Sequence, residues 1–192
     1  MISAGVEGLA HAETAENRLR RNRLGLWLFI ASESFLFAAV ISARFYLLGT
    51  QRSEELSQPL GLLISLVLLT SSLTAYRAET SAAHDDVRGF MRNTAATIAL
   101  GLIFMGGVVL EFREGLESFP PDTLFGTTFF SLIGLHAFHV LTGLVALFAV
   151  LWVGRDGHFG STDYWPVEGV VKYWHFVDVA WVFIFPTLYL IK

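Results

Sequence analysis

Apolar residues fall along this chain in five long blocks separated by short polar links: Leu24–Leu48, Pro59–Tyr76, Asn93–Leu110, Thr123–Gly154 and Gly169–Ile191. A helix rising about 1.5 Å per residue needs roughly 20 apolar residues to cross the hydrocarbon of a bilayer. The blocks lack the every-second-residue alternation of lipid-facing barrel strands. Hydrocarbon offers the backbone no hydrogen bonds, so each block must satisfy its own, and a helix does so. The expected fold is all-α, a polytopic membrane protein with five transmembrane helices in a bundle. Pro59 suits the first turn of the second helix, where a missing N–H costs nothing. Gly49, Pro120-Pro121 and Gly154-Arg155-Asp156-Gly157 mark turns between blocks.

Charge divides the chain further. Residues 1–23 carry Glu7, Glu13, Glu16 and four arginines, with no apolar run resembling a signal peptide. They predict a polar N-terminal segment, followed by a membrane domain over residues 24–192 whose first span acts as its own insertion signal. With five spans, the N-terminal segment shares a side with the second and fourth links. That side holds nine Lys and Arg residues and the opposite side four. The positive-inside rule then puts the N-terminus in the cytoplasm and the C-terminus outside.

Composition narrows the chemistry. The mean hydropathy of +0.56 and the length of 192 residues suit one membrane domain. The net charge is −4, with no basic block that would point to nucleic acid. The chain has no cysteine. That excludes disulfides, haem attachment through Cys-x-x-Cys-His, thiolate copper centres and iron–sulfur clusters.

Ionisable residues inside apolar blocks are the candidate functional positions, because hydrocarbon disfavours charge by at least a few kcal/mol. Glu33 lies nine residues into the first block, roughly 13–14 Å deep, with Phe29 and Phe37 one turn to either side. It reads as a proton-relay, lipid or partner contact, or as a protonated carboxyl bonded to a neighbouring helix. His136 and His139 share one face of the fourth block. They read as metal or haem ligands, or as hydrogen-bonded packing groups. No Asp or Glu in that block completes a metal site, which favours packing. His175 and Asp178, also three apart and near the cytoplasmic end of the fifth span, are spaced to allow a carboxylate–imidazole hydrogen bond on one helix face. That pair could serve a proton path, a headgroup or a partner subunit, or simply satisfy itself. Tyr164, Trp165, Tyr173 and Trp174 read as an interfacial aromatic belt. Glu111, Arg113 and Glu114 end the third block and are expected to snorkel to the interface. Two small-residue stripes, Ser34/Ala38/Ser42 and Ala95/Ala99 with Gly106-Gly107, are expected at helix–helix contacts.

Four segments together carry a resemblance: Trp27-Leu28-Phe29-Ile30-Ala31-Ser32-Glu33, Gly126-Thr127-Thr128-Phe129-Phe130, Gly134-Leu135-His136-Ala137-Phe138-His139-Val140 and Tyr173-Trp174-His175-Phe176-Val177-Asp178-Val179. From Leu24 to Lys192 the chain resembles subunit III of the haem–copper terminal oxidases. Glu111-Phe112 is similar to that family's Glu-Tyr, with Phe in place of Tyr. The resemblance implies an accessory subunit of cytochrome c oxidase in a bacterial plasma membrane. It implies no catalytic centre, metal or haem on this chain, with the redox centres in subunits I and II. It also implies bound phospholipid, support of proton uptake and catalytic lifetime, and cytochrome c or a quinol as electron donor. Glu33 falls on the family's buried, carbodiimide-reactive glutamate. The remaining candidates it leaves for proton, lipid or subunit contact are His136, His139, His175, Asp178 and Glu111. Long members place a two-helix V before the glutamate helix; this sequence starts directly at that helix, as five-span forms do. Competing readings are a nitric oxide reductase-associated relative, a stand-alone haem-b carrier using His136 or His139 with His175, and a small proton-coupled transporter built around Glu33. The transporter lacks the broken helices such sites often use.

Overall fold

The computed structural model describes the backbone of residues 2–49 and 58–191, and side chains from residue 16 onward within them. Five long helices account for nearly all of it: α1 (Ile2–Leu48), α2 (Gln58–Ala83), α3 (Val87–Ser118), α4 (Leu124–Gly154) and α5 (Trp165–Phe185). A single π-helical turn, Pro186–Leu190, follows α5. Helices α1 to α4 are each long and apolar enough to cross a membrane. Helix α5 is 21 residues long, about 31 Å, and carries more ionisable groups. Helix α1 continues through residue 23 without a break, so the polar N-terminal segment and the first apolar block form one rod of 47 residues.

Helices α2, α3, α4 and α5 pack in a closed ring, and α1 lies along α4 and α5. The α2–α3 turn is tight. Asp85 takes a left-handed φ of 59°, and the Asp86 side chain accepts a hydrogen bond from the Gly89 N–H to cap α3. The Asp85 carboxylate accepts from the Ser161 N–H at 2.9 Å, tying this turn to the α4–α5 loop. That bond holds the Asp85 carboxyl below its ordinary pKa. Thr123 caps α4 through the Gly126 N–H.

Glycines let the ring close. A methyl group at Gly107 would lie 2.4 Å from Ile64 Cγ2, so α2 and α3 meet backbone to side chain there. Methyls at Gly101 and Gly143 would lie 2.7 and 2.9 Å from the Trp174 ring. Trp174 therefore wedges between α3 and α4, and its indole N–H donates to Ser71 Oγ on α2 at 2.9 Å. It is fully buried, which corrects the expected interfacial belt: Trp174 is core. The small-residue stripes are also corrected in part. Ser34, Ala38, Ser42, Ala95, Ala99 and Gly106 face outward, and only Gly107 serves a helix contact inside this chain. Helix α1 buries Ile30 and Phe37 instead.

Candidate functional site

Helix α1 carries Glu33 on the face that meets α4, because its neighbours one turn away, Ile30 and Phe37, are the ones that bury. Across the contact, His139 Nε2 lies 3.1 Å from Glu33 Oε2. The other ring nitrogen, Nδ1, lies 2.7 Å from the Leu135 carbonyl oxygen, which can only accept. Nδ1 must then carry a proton. The Glu33–His139 bond needs one further proton, held either on Nε2 or on the carboxyl. Both arrangements leave the pair with no net charge, which suits its depth in an apolar span. Phe37 packs on the His139 ring with centroids 4.9 Å apart.

Beside this pair, α1, α4 and α5 enclose an open cleft of about 420 Å³. Leu26, Phe29 and Phe138 form part of its apolar wall, and Glu33, His139, Thr142 and Tyr173 supply its polar edge. The Tyr173 hydroxyl is 2.8 Å from Thr142 Oγ1, and it packs on Phe29 at 5.9 Å. Tyr173, expected in an interfacial belt, is thus part of the cleft. The cleft combines an apolar slot with a neutral but polarisable hydrogen-bonded pair. That combination suits an acyl chain or a partner side chain better than a charged solute.

The two histidines that share a face of α4 divide their roles. His136 points into the ring and is fully buried, 4.9 Å from the Trp181 ring and 5.7 Å from Phe104. Neither of its nitrogens has a hydrogen-bond partner among the described residues. His139 is hydrogen-bonded through both ring nitrogens, whereas His136 packs on aromatic rings without a hydrogen bond among the described residues. Among the described residues no three His, Asp or Glu side chains converge as a metal site would require.

The direct bond that the spacing of His175 and Asp178 allows is replaced by a bridge. Ser72 of α2 stands between them, 2.9 Å from His175 Nδ1 and donating its hydroxyl proton to Asp178 Oδ2. The serine thus takes the place of the direct contact and joins α2 to α5. Glu111 does not snorkel. It is only 4% exposed, buried beside Tyr189 of the final π turn, with which it interacts electrostatically. Arg113 and Glu114 are exposed.

One feature lay outside the expected set. Arg23 forks onto Glu168 at 3.1 and 2.9 Å, and Lys172 reaches the same carboxylate from one turn along α5. This cluster pins α1 to the start of α5. The Glu168-to-Lys172 spacing of four gives half of it away in sequence. The Arg23 contact spans 145 residues and carries no local mark.

The profile of a family described as "Cytochrome c oxidase subunit III" matches residues 3–192. The protein named cytochrome c oxidase subunit 3 from Synechocystis sp. is 32% identical, covering 96% of this chain and 81% of its own length. Its namesake from Alkalihalophilus pseudofirmus is 31% identical over 94% of this chain and 92% of its own. That from Podospora anserina is 35% identical over 86% of this chain, but the match spans only 66% of the longer fungal protein. A match of the family profile from residue 3 to the last residue, together with relatives above 30% identity over nearly the whole length, settles the membership: this chain belongs to the cytochrome c oxidase subunit III family.

Proposed function

We propose that this chain is the accessory, non-redox subunit III of a proton-pumping haem–copper terminal oxidase in aerobic respiratory electron transport. The haems and copper reside in subunits I and II, and cytochrome c delivers the electrons. The chain stabilises the catalytic subunit and supports proton uptake, and phospholipid acyl chains fill the cleft beside Glu33. It lies in the plasma membrane as a five-span domain over residues 24–192, with the polar segment 1–23 and the N-terminus cytoplasmic and the C-terminus outside. The observation that carries this reading is the Glu33–His139 pair, neutral overall and facing an apolar cleft, in a chain that matches subunit III from residue 3 to residue 192.

A subunit that shapes the surface of the catalytic partner alters how fast protons reach it and how long it survives turnover, without altering the haems. Removing this chain from the purified oxidase should leave haem spectra and initial oxygen consumption largely intact. Activity should then decay faster over successive turnovers, and proton uptake should slow most at alkaline pH, where protons are scarce. Immediate loss of haem reduction, with the other subunits still assembled, would place the chain on the electron path and refute the reading. Reporter fusions after Gly49 and Gly115 should read external and one after Arg88 cytoplasmic; the reverse pattern overturns the orientation.

A further inference from the structure

Two polar groups on the edge of the cleft between α1, α4 and α5 have hydrogen-bonding capacity left over, and at one of them its sense is fixed. Glu33 meets His139 through Oε2, and its Oε1 has no partner among the described residues. Nδ1 of His139 keeps its proton for the Leu135 carbonyl. In both neutral arrangements of the pair the shared proton lies between Oε2 and Nε2, so Oε1 only accepts. A proton on Oε1 instead would set Oε2 against the lone pair of Nε2. The Glu33 side chain is 21% exposed and lines the cleft, which keeps Oε1 within reach of a ligand. The Tyr173 hydroxyl is adaptable by comparison. It shares a hydrogen bond with Thr142 and stands 3.4 Å from the His139 carbonyl oxygen. A phenol oxygen has two lone pairs besides its proton, so either arrangement leaves it at least one lone pair for a ligand.

Depth decides what can use these groups. Glu33 lies roughly 13–14 Å into the first apolar block, near the middle of a hydrocarbon layer about 30 Å thick. Phospholipid headgroups stay at the interface, and acyl chains have no donor. An acyl chain therefore matches the slot and leaves Oε1 unpaired, which is unfavourable for a polar atom in hydrocarbon. The molecule that matches both parts is neutral, resides within the hydrocarbon, and carries a hydroxyl donor on a head that can lie against rings. Phe29, Phe138 and Tyr173 supply the rings. The volume of about 420 Å³ falls within the range of roughly 300–1,000 Å³ usual for small-molecule sites. A prenylquinol has these properties: an aromatic head with hydroxyls at opposite ends, and an apolar tail.

We propose that the cleft binds the aromatic head of a membrane prenylquinol, one hydroxyl donating to Glu33 Oε1 and the other meeting the Tyr173 hydroxyl, with the prenyl tail along the apolar slot. This rests on the reading of the cleft as a lipid slot beside Glu33; acyl chains hold the slot when no such head is bound. The oxidised quinone carries carbonyls only, which would face Oε1 lone pair against lone pair, so the cleft prefers the reduced form. Binding makes and breaks no covalent bond and moves no electron.

The test uses the complete oxidase in lipid nanodiscs, blocked with cyanide under argon so that the quinol stays reduced. The probe is an azidobenzoquinol bearing a decyl tail. Irradiation should label peptides containing Phe29 or Phe138, and the corresponding azidobenzoquinone should label them about tenfold less. Excess unlabelled decylbenzoquinol should displace the label, and oleic acid, which has one donor and no ring, should not. Glu33→Ala should lower labelling about tenfold. Glu33→Gln should preserve both the labelling and the preference for the quinol, because the amide nitrogen donates to Nε2 and turns its oxygen to the cleft. Tyr173→Phe, which keeps the ring, should weaken labelling by both forms. Labelling is scaled to the chain retained with the haem-bearing subunits, so loss of the chain is not read as loss of binding. Absence of label from these peptides, equal labelling by the two redox forms, displacement by oleic acid, or wild-type labelling of Glu33→Ala would each overturn the proposal. Phospholipid still held by the chain in those cases would leave the lipid-slot reading standing; loss of both ligands would sink both.

Discussion

At the scale of single residues, the bundle rests on a few polar groups that hydrocarbon cannot serve. Glu33 and His139 satisfy each other with one proton and no net charge. Replacing His139 with Leu leaves the Glu33 carboxyl without that partner, and an unsatisfied polar group of this kind costs about 1–3 kcal/mol. His139→Leu should therefore lower resistance to denaturation by sodium dodecyl sulfate more than Glu33→Gln does, since the amide still bonds to the ring. A double-mutant cycle should return a coupling of about 0.5–3 kcal/mol; a coupling near zero would mean the two groups do not depend on each other. Both residues were legible as ionisable positions in apolar blocks. Their pairing was not, because it joins helices 106 residues apart in sequence, and depth along separate helices depends on tilt and register. His136 makes the same point. It shares a face and a residue type with His139, and only the neighbours supplied by α1 in one case and Trp181 in the other separate their roles.

At the scale of helices, close approach is decided by which small residues turn inward. Gly106 and Gly107 are adjacent, yet nothing lies within 4 Å of a methyl placed at Gly106, and Ile64 lies 2.4 Å from one placed at Gly107. Gly107→Val should destabilise the α2–α3 pair by about 1–3 kcal/mol, the range for overfilled contacts. Gly106→Ala should be neutral or stabilise by up to about 0.5–1 kcal/mol, because a helix interior favours Ala over Gly. Equal effects at the two positions would show that the helices do not meet where Ile64 puts them. The number of helices and their approximate limits could be read from the apolar blocks, because block length and bilayer thickness constrain each other. The inward face could not. The α1 stripe Ser34/Ala38/Ser42 has the spacing of a packing surface, yet Phe37 and Ile30 bury instead, since α1 meets the ring on one side only. The aromatic run at 173–174 misled for a related reason: next to a span boundary in sequence, Trp174 nonetheless turns inward and faces two glycines.

At the scale of the whole molecule, the wedge of Trp174 between Gly101 and Gly143 sets an order in time. Helices α3 and α4 leave the ribosome before α5 exists, so for that interval the slot between their glycines has no occupant of its own. The ring of helices cannot shut until the last of the five arrives with its indole. The early bundle is thus an unfinished vessel, open along the seam that α5 will fill. A chain ended after Gly154 should be cleared from membranes faster than the complete chain in a pulse–chase measurement. Trp174→Ala should shorten the lifetime of the complete chain in the same direction, since it delivers the helix without its wedge. A full-length lifetime for the truncated chain would mean that the first four helices finish folding alone. Quality control of this bundle therefore waits on α5: the residue that locks the ring lies on that helix, and nothing made earlier can be certified sound until it is in place.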